Sequence, residues 1–577
     1  MNRLTRNGPP LFLRVLLGLV IFLYPTTAQS QSLAQGQALS DADNQGTPIE
    51  NDLVIEHCAS CHTRDDTGRM TRLSYMRKTP EGWQTSIRRM VSLNDVDLDP
   101  ATAREIVRYL ANQHGVAPGE LRAGLFEVER RLIDFEYEAD EDTETTCTQC
   151  HSMGRVITQR RTTEEWGLLI AMHRGYYPLS DSQAFRYMGP TPGSPEAPDD
   201  TRHPMDKAIE HLSQEFPLET PEWSDWSATM QPAQIAGTWA VSAVQPGYGR
   251  LFGQLTIEQV PGTSDEFTTS TTLTYARSGD TVLRRGSSIV YTGYQWRGSS
   301  ALGDGQDPLR EVLFVERDWR QISGRWFTGA YDELGFDVHL YRVGNDPMIL
   351  GMEPRALRAG SEGQEVRIFG ANLPSVLPRE AVNLGPGITV RRVVRSDGNS
   401  ATVIVNVDED ASVGPRDISV SGARRPESGF VYDQIHRIGV SPEWGMARVG
   451  GARMPKSYSQ FEARAYHRGT DGRSGTADDV DLGVVDATWS LEEYSATFDD
   501  DDIEYVGEIA ARTGLFTPAL DGPNPERSGN RNNIGDVWVI ASYSPPEGGA
   551  DRPLRARAHL IVTVPLYMRW DPWGDLP

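Results

Sequence analysis

The chain has 577 residues, too many for one compact domain, since domains usually run ~100–200 residues. Its 80 acidic residues outnumber 56 basic ones, and a net charge of −24 repels phosphate backbones and excludes nucleic acid as a partner. Four cysteines exclude a disulfide-stapled scaffold, while 55 Gly and 37 Pro forecast many turns and much β structure.

Residues 1–30 read as a secretory signal peptide. Arg3 and Arg6 open a basic region, Arg14 precedes an apolar run over 15–24, and Ala28-Gln29-Ser30 offers small residues for cleavage. A run of about ten residues at ~1.5 Å each is too short to span ~30 Å of hydrocarbon as an anchor. The expected compartment is a bacterial periplasm, with no membrane contact once the leader is removed. Losing three arginines would raise the acidic excess from 24 to 27.

All four cysteines fall in two C-x-x-C-H motifs, Cys58-Ala59-Ser60-Cys61-His62 and Cys147-Thr148-Gln149-Cys150-His151. Two thiols three residues apart on a tight turn reach the two vinyl groups of one haem, and the following His falls under the iron. The motifs therefore predict two covalently bound c-type haems, with His62 and His151 as proximal ligands. Local disulfides, a redox C-x-x-C or a zinc site built from both pairs are the alternatives.

The motifs belong to a longer repeat. Thr79-Pro80-Glu81-Gly82-Trp83, then Ile87 and Met90, parallels Thr162-Thr163-Glu164-Glu165-Trp166, then Ile170 and His173. Each Thr reads as a helix N-cap, and the Trp, Ile and Met or His recur at i, i+4 and i+7 on one face. Met90 and His173 thus hold one place in two related modules and are the expected distal iron ligands. Competitors are Met70, Met76 and His114 for the first haem, and Met153, Met172, Met188, His203, Met205 and His211 for the second. A His/Met iron sits at higher potential than a bis-His iron, so the pair would form a directional relay.

Residues 100–110 read as an amphipathic helix closing the first module, 121–135 as a helical bridge, and 189–204 as loop. The α-helical dihaem domain is expected over 31–222. Beyond it the pattern turns to short alternating strands, predicting three antiparallel β domains. A barrel-like domain takes 225–345, with runs at 255–257, 272–275, 289–291, 312–315 and 338–341. An immunoglobulin-like sandwich takes 346–433 and a C-terminal sandwich 434–577. No nucleophile elbow, phosphate loop or zinc-protease motif occurs there, so no catalytic residue is assigned. The acidic stretch 471–481 lacks calcium-loop spacing and reads as a solvated turn that offers carboxylates. Residues 499–502 read as a solvated charge run.

Taken together, the paired C-x-x-C-H motifs, the Trp-x6-Met and Trp-x6-His echoes and the β-domain order resemble the alpha subunit of quinohemoprotein amine dehydrogenase. The resemblance covers the chain after its leader. It implies a periplasmic heterotrimer with a propeller-type beta subunit and a small gamma subunit. The gamma subunit carries a cysteine tryptophylquinone that oxidises primary amines to aldehyde and ammonia. Electrons would cross the two haems to a soluble copper protein or cytochrome c. With every Cys committed to haem, none remains here for a cysteine-derived quinone. A dihaem peroxidase and a free-standing dihaem carrier are the competing readings.

Overall fold

The computed structural model describes residues 46–122, 143, 146–147, 153–177, 200, 202–328, 334–451, 454–495, 500–545 and 553–565. The expected leader, Cys150, His151, Met188, the bridging run beyond 122 and most of the 189–204 loop lie outside the described residues.

The N-terminal elements are α1 (Asp52–Cys58), β1 (Met76–Lys78), α2 (Pro80–Asn94), α3 (Pro100–Gln113), α4 (Pro118–Leu121), α5 (Gly154–Ile157), β2 (Gln159–Arg161), α6 (Thr163–Tyr176), α7 (Pro204–Glu215) and α8 (Pro221–Thr229). Proline opens α2, α3, α4, α7 and α8, where its missing N–H costs nothing and its fixed φ suits the first turn. Thr79 caps α2 by accepting from Gly82 N, and Thr162 caps α6 by accepting from Glu165 N, both at 3.2 Å. β1 and β2 pair antiparallel, Met76 opposite Arg161, Arg77 opposite Arg160 and Lys78 opposite Gln159.

Eight antiparallel strands follow, from Gly237–Gln245 to Gly335–Arg342, and these two terminal strands pair to close a barrel. Alternation drives it: along Glu266–Tyr275, Phe267, Thr269, Thr271 and Leu273 point inward and are buried. Three barrel strands, Gly237–Gln245, Gln295–Leu302 and Gln321–Phe327, are absent from the strand runs legible in the sequence. Gly and Ser hold several of their positions and break the apolar alternation. Trp239, Trp296, Trp326 and Tyr294 fill the interior, and Val116 and Leu121 of the N-terminal unit join that core.

The N-terminal unit docks on this barrel through α2 and α3. Arg297 grips the buried Glu81 carboxylate in the first turn of α2. Arg108 of α3 reaches Asp265 and Glu266, Thr292 N donates to Asn112 Oδ1 at 2.6 Å, and the Tyr294 hydroxyl donates to the Val116 carbonyl at 2.8 Å. Gly115 is required at this contact, because a Cβ there would stand 2.3 Å from the Ala111 carbonyl oxygen and 2.6 Å from Thr292 Cγ2.

Two further β units complete the chain. In the third, two four-stranded sheets enclose one apolar core that includes Val366, Ile368, Val403, Val405 and Ile418. In the fourth, a four-stranded sheet and two three-stranded sheets surround Phe461, Trp489, Val537, Val539 and Leu560. Neither unit is wholly antiparallel, which corrects the sequence expectation. Ala356–Arg358 runs parallel to Ala423–Tyr432, and Trp444–Arg448 runs parallel to Leu554–Thr563. In each case an early strand lies beside the unit's last one, so most of the unit serves as the long crossover that parallel neighbours need. The 471–481 stretch is a turn that satisfies its own carboxylates. Asp478 accepts from Thr470 N and Asp471 N, and Asp479 accepts from Gly475 N and pairs with Arg437. No described helix is long and apolar enough to cross a membrane.

One buried carboxyl makes the barrel pH-sensitive. Burial pushes Glu311 up to about 7, against hydrogen bonds from Ser300 and Trp296 that favour its anion. A carboxyl raised in the folded state stabilises fully below its unfolded pKa of ~4.3, and that contribution is lost as pH rises through about 7. Glu311→Gln is therefore expected to match wild type near pH 4 and to exceed it by on the order of 2–3 kcal/mol at pH 8. Thermal midpoints of both proteins across that range check this; a pH-independent difference would reject it.

Candidate functional site

The first C-x-x-C-H motif sits on the tight turn that ends α1. The Cys58 carbonyl accepts from Cys61 N at 3.2 Å and from His62 N at 2.9 Å. This brings both cysteines and the histidine to one end of the helix. Burial, and secondarily Cys61, pushes the Cys58 thiol up to about 11. A redox C-x-x-C depends on a lowered thiol pKa, so this environment disfavours thiol–disulfide exchange. His62 is half-buried, and its Nδ1 lies 3.0 Å from the Thr71 carbonyl oxygen. Burial holds it below its ordinary pKa, so it is neutral at pH 7 and its Nδ1–H donates to Thr71, leaving the lone pair on Nε2. A ligating histidine is oriented in this way by its second nitrogen.

Of the second motif, Cys147 is described and half-buried, while Cys150 and His151 lie outside the described residues.

The expected distal ligands stand on matched helices. Met90 is on α2 and His173 on α6, each seven residues after a fully buried tryptophan, Trp83 or Trp166. The match extends beyond the helices. Trp83 Nε1 donates to the His114 carbonyl, and Trp166 Nε1 to the Phe216 carbonyl, at 2.9 and 3.2 Å. His114 and Phe216 are the C-caps of α3 and α7, the helices that close the two modules. His173 Nδ1 bonds the Leu169 carbonyl at 2.8 Å, and burial lowers its pKa, so its lone pair too lies on Nε2. Met90 is half-buried, with Asn94 Nδ2 3.8 Å from its sulfur.

Six of the described competitors fall into other roles. Met70, Met76, Met153 and Met205 are core residues, and His203 caps α7 through Met205 N. Met172 takes a 3.0 Å contact from Arg89 Nη1, which ties α6 to α2. His114 differs: it is fully buried against Trp83 and Tyr109, and neither ring nitrogen has a hydrogen-bond partner. Burial lowers its pKa to about 4, so it is neutral.

Two polar clusters at the module interface escape a motif search. In one, Glu120 accepts both Arg77 Nη atoms at 2.8 Å, Thr220 Oγ1 at 2.7 Å and Ala117 N at 2.6 Å, while Arg160 Nε lies 3.2 Å away. Burial opposes its charge, yet the arginines prevail and hold the carboxyl down to about 2. In the other, Lys78 and Arg161 are buried beside Arg72 and Arg89, with Glu165 as the carboxylate among them. Burial drives Lys78 far below its usual pKa and Arg161 down to about 9. Lys78 lies over Trp83 and Arg161 over Trp166, and Arg161 Nη1 has no hydrogen-bond partner. The signal was present as the basic doublets Arg77-Lys78 and Arg160-Arg161, which precede the two N-caps at equal spacing.

Glu120→Gln leaves two buried guanidiniums without a counter-charge and is expected to destabilise the N-terminal unit by ~3–5 kcal/mol. In wild type this carboxylate stabilises fully above its unfolded pKa of ~4.3, and the contribution drains as pH falls toward about 2. The variant's deficit should therefore shrink in acid; chemical denaturation at pH 7 and pH 3 measures it.

Comparison with known proteins adds the following. Comparison with curated proteins returned no match. Among solved structures, a redesigned beta barrel aligns at 16% identity over 19% of this chain and 92% of its own, with a TM-score of 0.17. A de novo designed fluorescence-activating beta barrel aligns at 22% identity over 19% and 96%, with a TM-score of 0.16. Human protocadherin-24 EC1-2 aligns at 10% identity over 37% and 96%, with a TM-score of 0.15. Four family models match in chain order. They are quinohemoprotein amine dehydrogenase A, alpha subunit, haem binding, over 49–187, then quinohemoprotein amine dehydrogenase alpha subunit domain II over 232–343, domain III over 346–433 and domain IV over 438–573. With a haem-binding domain, a closed eight-stranded barrel and two more β units in that order, the chain belongs to the quinohemoprotein amine dehydrogenase alpha-subunit family.

Proposed function

We propose that this chain is the electron-transfer subunit of its amine dehydrogenase, carrying two c-type haems and relaying electrons from a quinone on a partner chain to a soluble acceptor. The observation that carries the reading is the repeat: two modules, each with its attachment cysteines, an aligned helix and a buried tryptophan, related about one antiparallel strand pair. A bound haem supplies one-electron redox chemistry. Cys58 and Cys61 would attach one, and Cys147 and Cys150 the other. His62 and His151 would hold the irons from one side, Met90 and His173 from the other. The donor chemistry fits, since His62 and His173 are both fixed through Nδ1 to a backbone carbonyl. The cationic set Arg72, Lys78, Arg89 and Arg161 exceeds its one carboxylate, which suits carboxylate groups brought in by a cofactor.

The remaining chain would serve assembly. Residues 1–30 would direct export to the periplasm, and the barrel and the immunoglobulin-like units over 346–433 and 434–577 would dock a propeller beta subunit and a quinone-bearing gamma subunit. A small copper protein or cytochrome c would accept the electrons. Held by two residues each, the irons would have no open position, which favours relay over peroxidase chemistry.

Purification from the native host is expected to bring down two further chains and amine-dependent haem reduction. Recovery of a lone chain whose haems ignore amines would overturn the reading. The ligand assignment has a separate test. Met90→Ala should abolish an Fe–S charge-transfer band near ~695 nm, and His173→Ala should leave that band in place. His114, with both ring nitrogens idle, is the alternative ligand at the first iron. A wild-type near-infrared spectrum without that band, together with loss of a bis-His signature in His114→Ala, would select it over Met90.

A further inference from the structure

We propose a divalent transition-metal site at the joint between the third and fourth units, built from Asp433, His436 and His467 and suited to a zinc-class ion. The domain III match ends at residue 433 and the domain IV match begins at 438, so Asp433 closes the third unit, His436 lies in the linker and His467 belongs to the fourth unit.

Strand register brings the third donor in. Strand Arg437–Ser441 pairs antiparallel with Glu462–His467, with Arg437 opposite Tyr466. Just beyond that pair, His436 N donates to the Tyr466 carbonyl at 3.0 Å, which holds the His436 ring beside His467. The two rings stand perpendicular with centroids 4.8 Å apart. Asp433 enters from the preceding turn, its Oδ1 3.1 Å from His467 Nε2. One donor atom from each residue lies within 4.8 Å of the other two. An ion at ~2.0–2.1 Å from each donor sets neighbouring donors ~3.3 Å apart in a tetrahedral shell, so a small closure seats it.

A plain Asp433–His467 hydrogen bond leaves two features unexplained. The Nδ1 of His436 is buried and has no hydrogen-bond partner. That second imidazole is packed against His467 without contributing to that bond. Two imidazoles and one carboxylate around a shared centre are the donor set of a zinc-class ion, with further positions left for water. The Asp433 side chain is 58% exposed, which gives the ion its entry from solvent. Such an ion would tie the linker to the fourth unit, where Ile435 already packs with Phe430, Ala465 and Leu482.

The test uses the full haem-loaded chain, stripped with a chelator that leaves covalent haem in place and then titrated with zinc chloride by calorimetry. One equivalent is expected to bind, with zinc-edge X-ray absorption showing two imidazoles in the first shell and a higher thermal midpoint for the zinc-loaded chain. Asp433→Asn, at an exposed position, and His436→Gln, at a half-exposed one, are each expected to weaken binding at least ~10-fold, with haem spectrum and far-UV circular dichroism unchanged. Absence of stoichiometric uptake, or uptake that survives undiminished in either variant, overturns the proposal. The latter result would move the ion to other acidic groups of this chain.

Discussion

Glu120 is one carboxylate shared by two buried arginines, and the N-terminal unit is arranged around that constraint. Arg77 and Arg160 face each other across the strand pair because the module repeat places them there. Two guanidiniums at the centre of a protein are untenable without an anion. A strictly symmetric pair of modules would supply either two carboxylates or none. The chain breaks the symmetry instead. In the Pro-initiated helix after each module, the third residue is Glu120 in α4 and Trp223 in α8. The first gives the shared charge, and the second gives a ring face 5.0 Å from the Arg77 guanidinium carbon. Thr220, the cap of α8, also donates to Glu120, so helix termini from both modules converge on one oxygen pair.

That centre makes the modules one body, and the barrel then fixes the body from outside. α2 is held at its first turn by Arg297, and α3 by Arg108 and Asn112. Met90 lies about two and a half turns along α2 from the Glu81 anchor. A helix pinned at one end by a buried ion pair and along its face by Trp83 has little freedom to move its far end. Pre-set geometry is what a one-electron relay requires, because reorganisation at the metal is part of its barrier. The β scaffold therefore acts on the site through packing and charge, while contributing no residue to the C-x-x-C-H motifs.

The sequence made some of this legible and hid the rest for physical reasons. The C-x-x-C-H motifs, the Thr N-caps and the Trp-x6 spacing are local, so pattern and periodicity revealed them. Most barrel strands carried alternating apolar residues and were equally plain. Gly237–Gln245, Gln295–Leu302 and Gln321–Phe327 were not, since small and polar residues hold positions that only a closed neighbour makes structural. The parallel pairs at Ala356–Arg358 and Trp444–Arg448 depend on which strand returns to which edge, and no local pattern encodes that. Glu120 sits in no motif; only strand pairing brings the two arginines to it. His436 and His467 are far apart in the chain and become neighbours solely through register.

Charge placement follows the same logic. Among the described residues, Arg77, Lys78, Arg160, Arg161, Arg284, Arg325, Arg416 and Arg527 are buried, against Glu81, Glu165, Glu311, Glu462 and Asp502, and the carboxylates of Glu120 and Asp479 are as enclosed. Over the described residues the buried cations and anions are thus nearly matched, so the acidic excess resides in exposed groups. The two populations act at different ranges. Surface acids are screened beyond ~8–10 Å at ordinary salt and act on encounter, favouring partners that present basic patches. Buried cations are screened far less and act on whatever charge forms beside them. One sequence can therefore keep an acidic exterior and still gather buried arginines where the modules meet, each population acting at its own range.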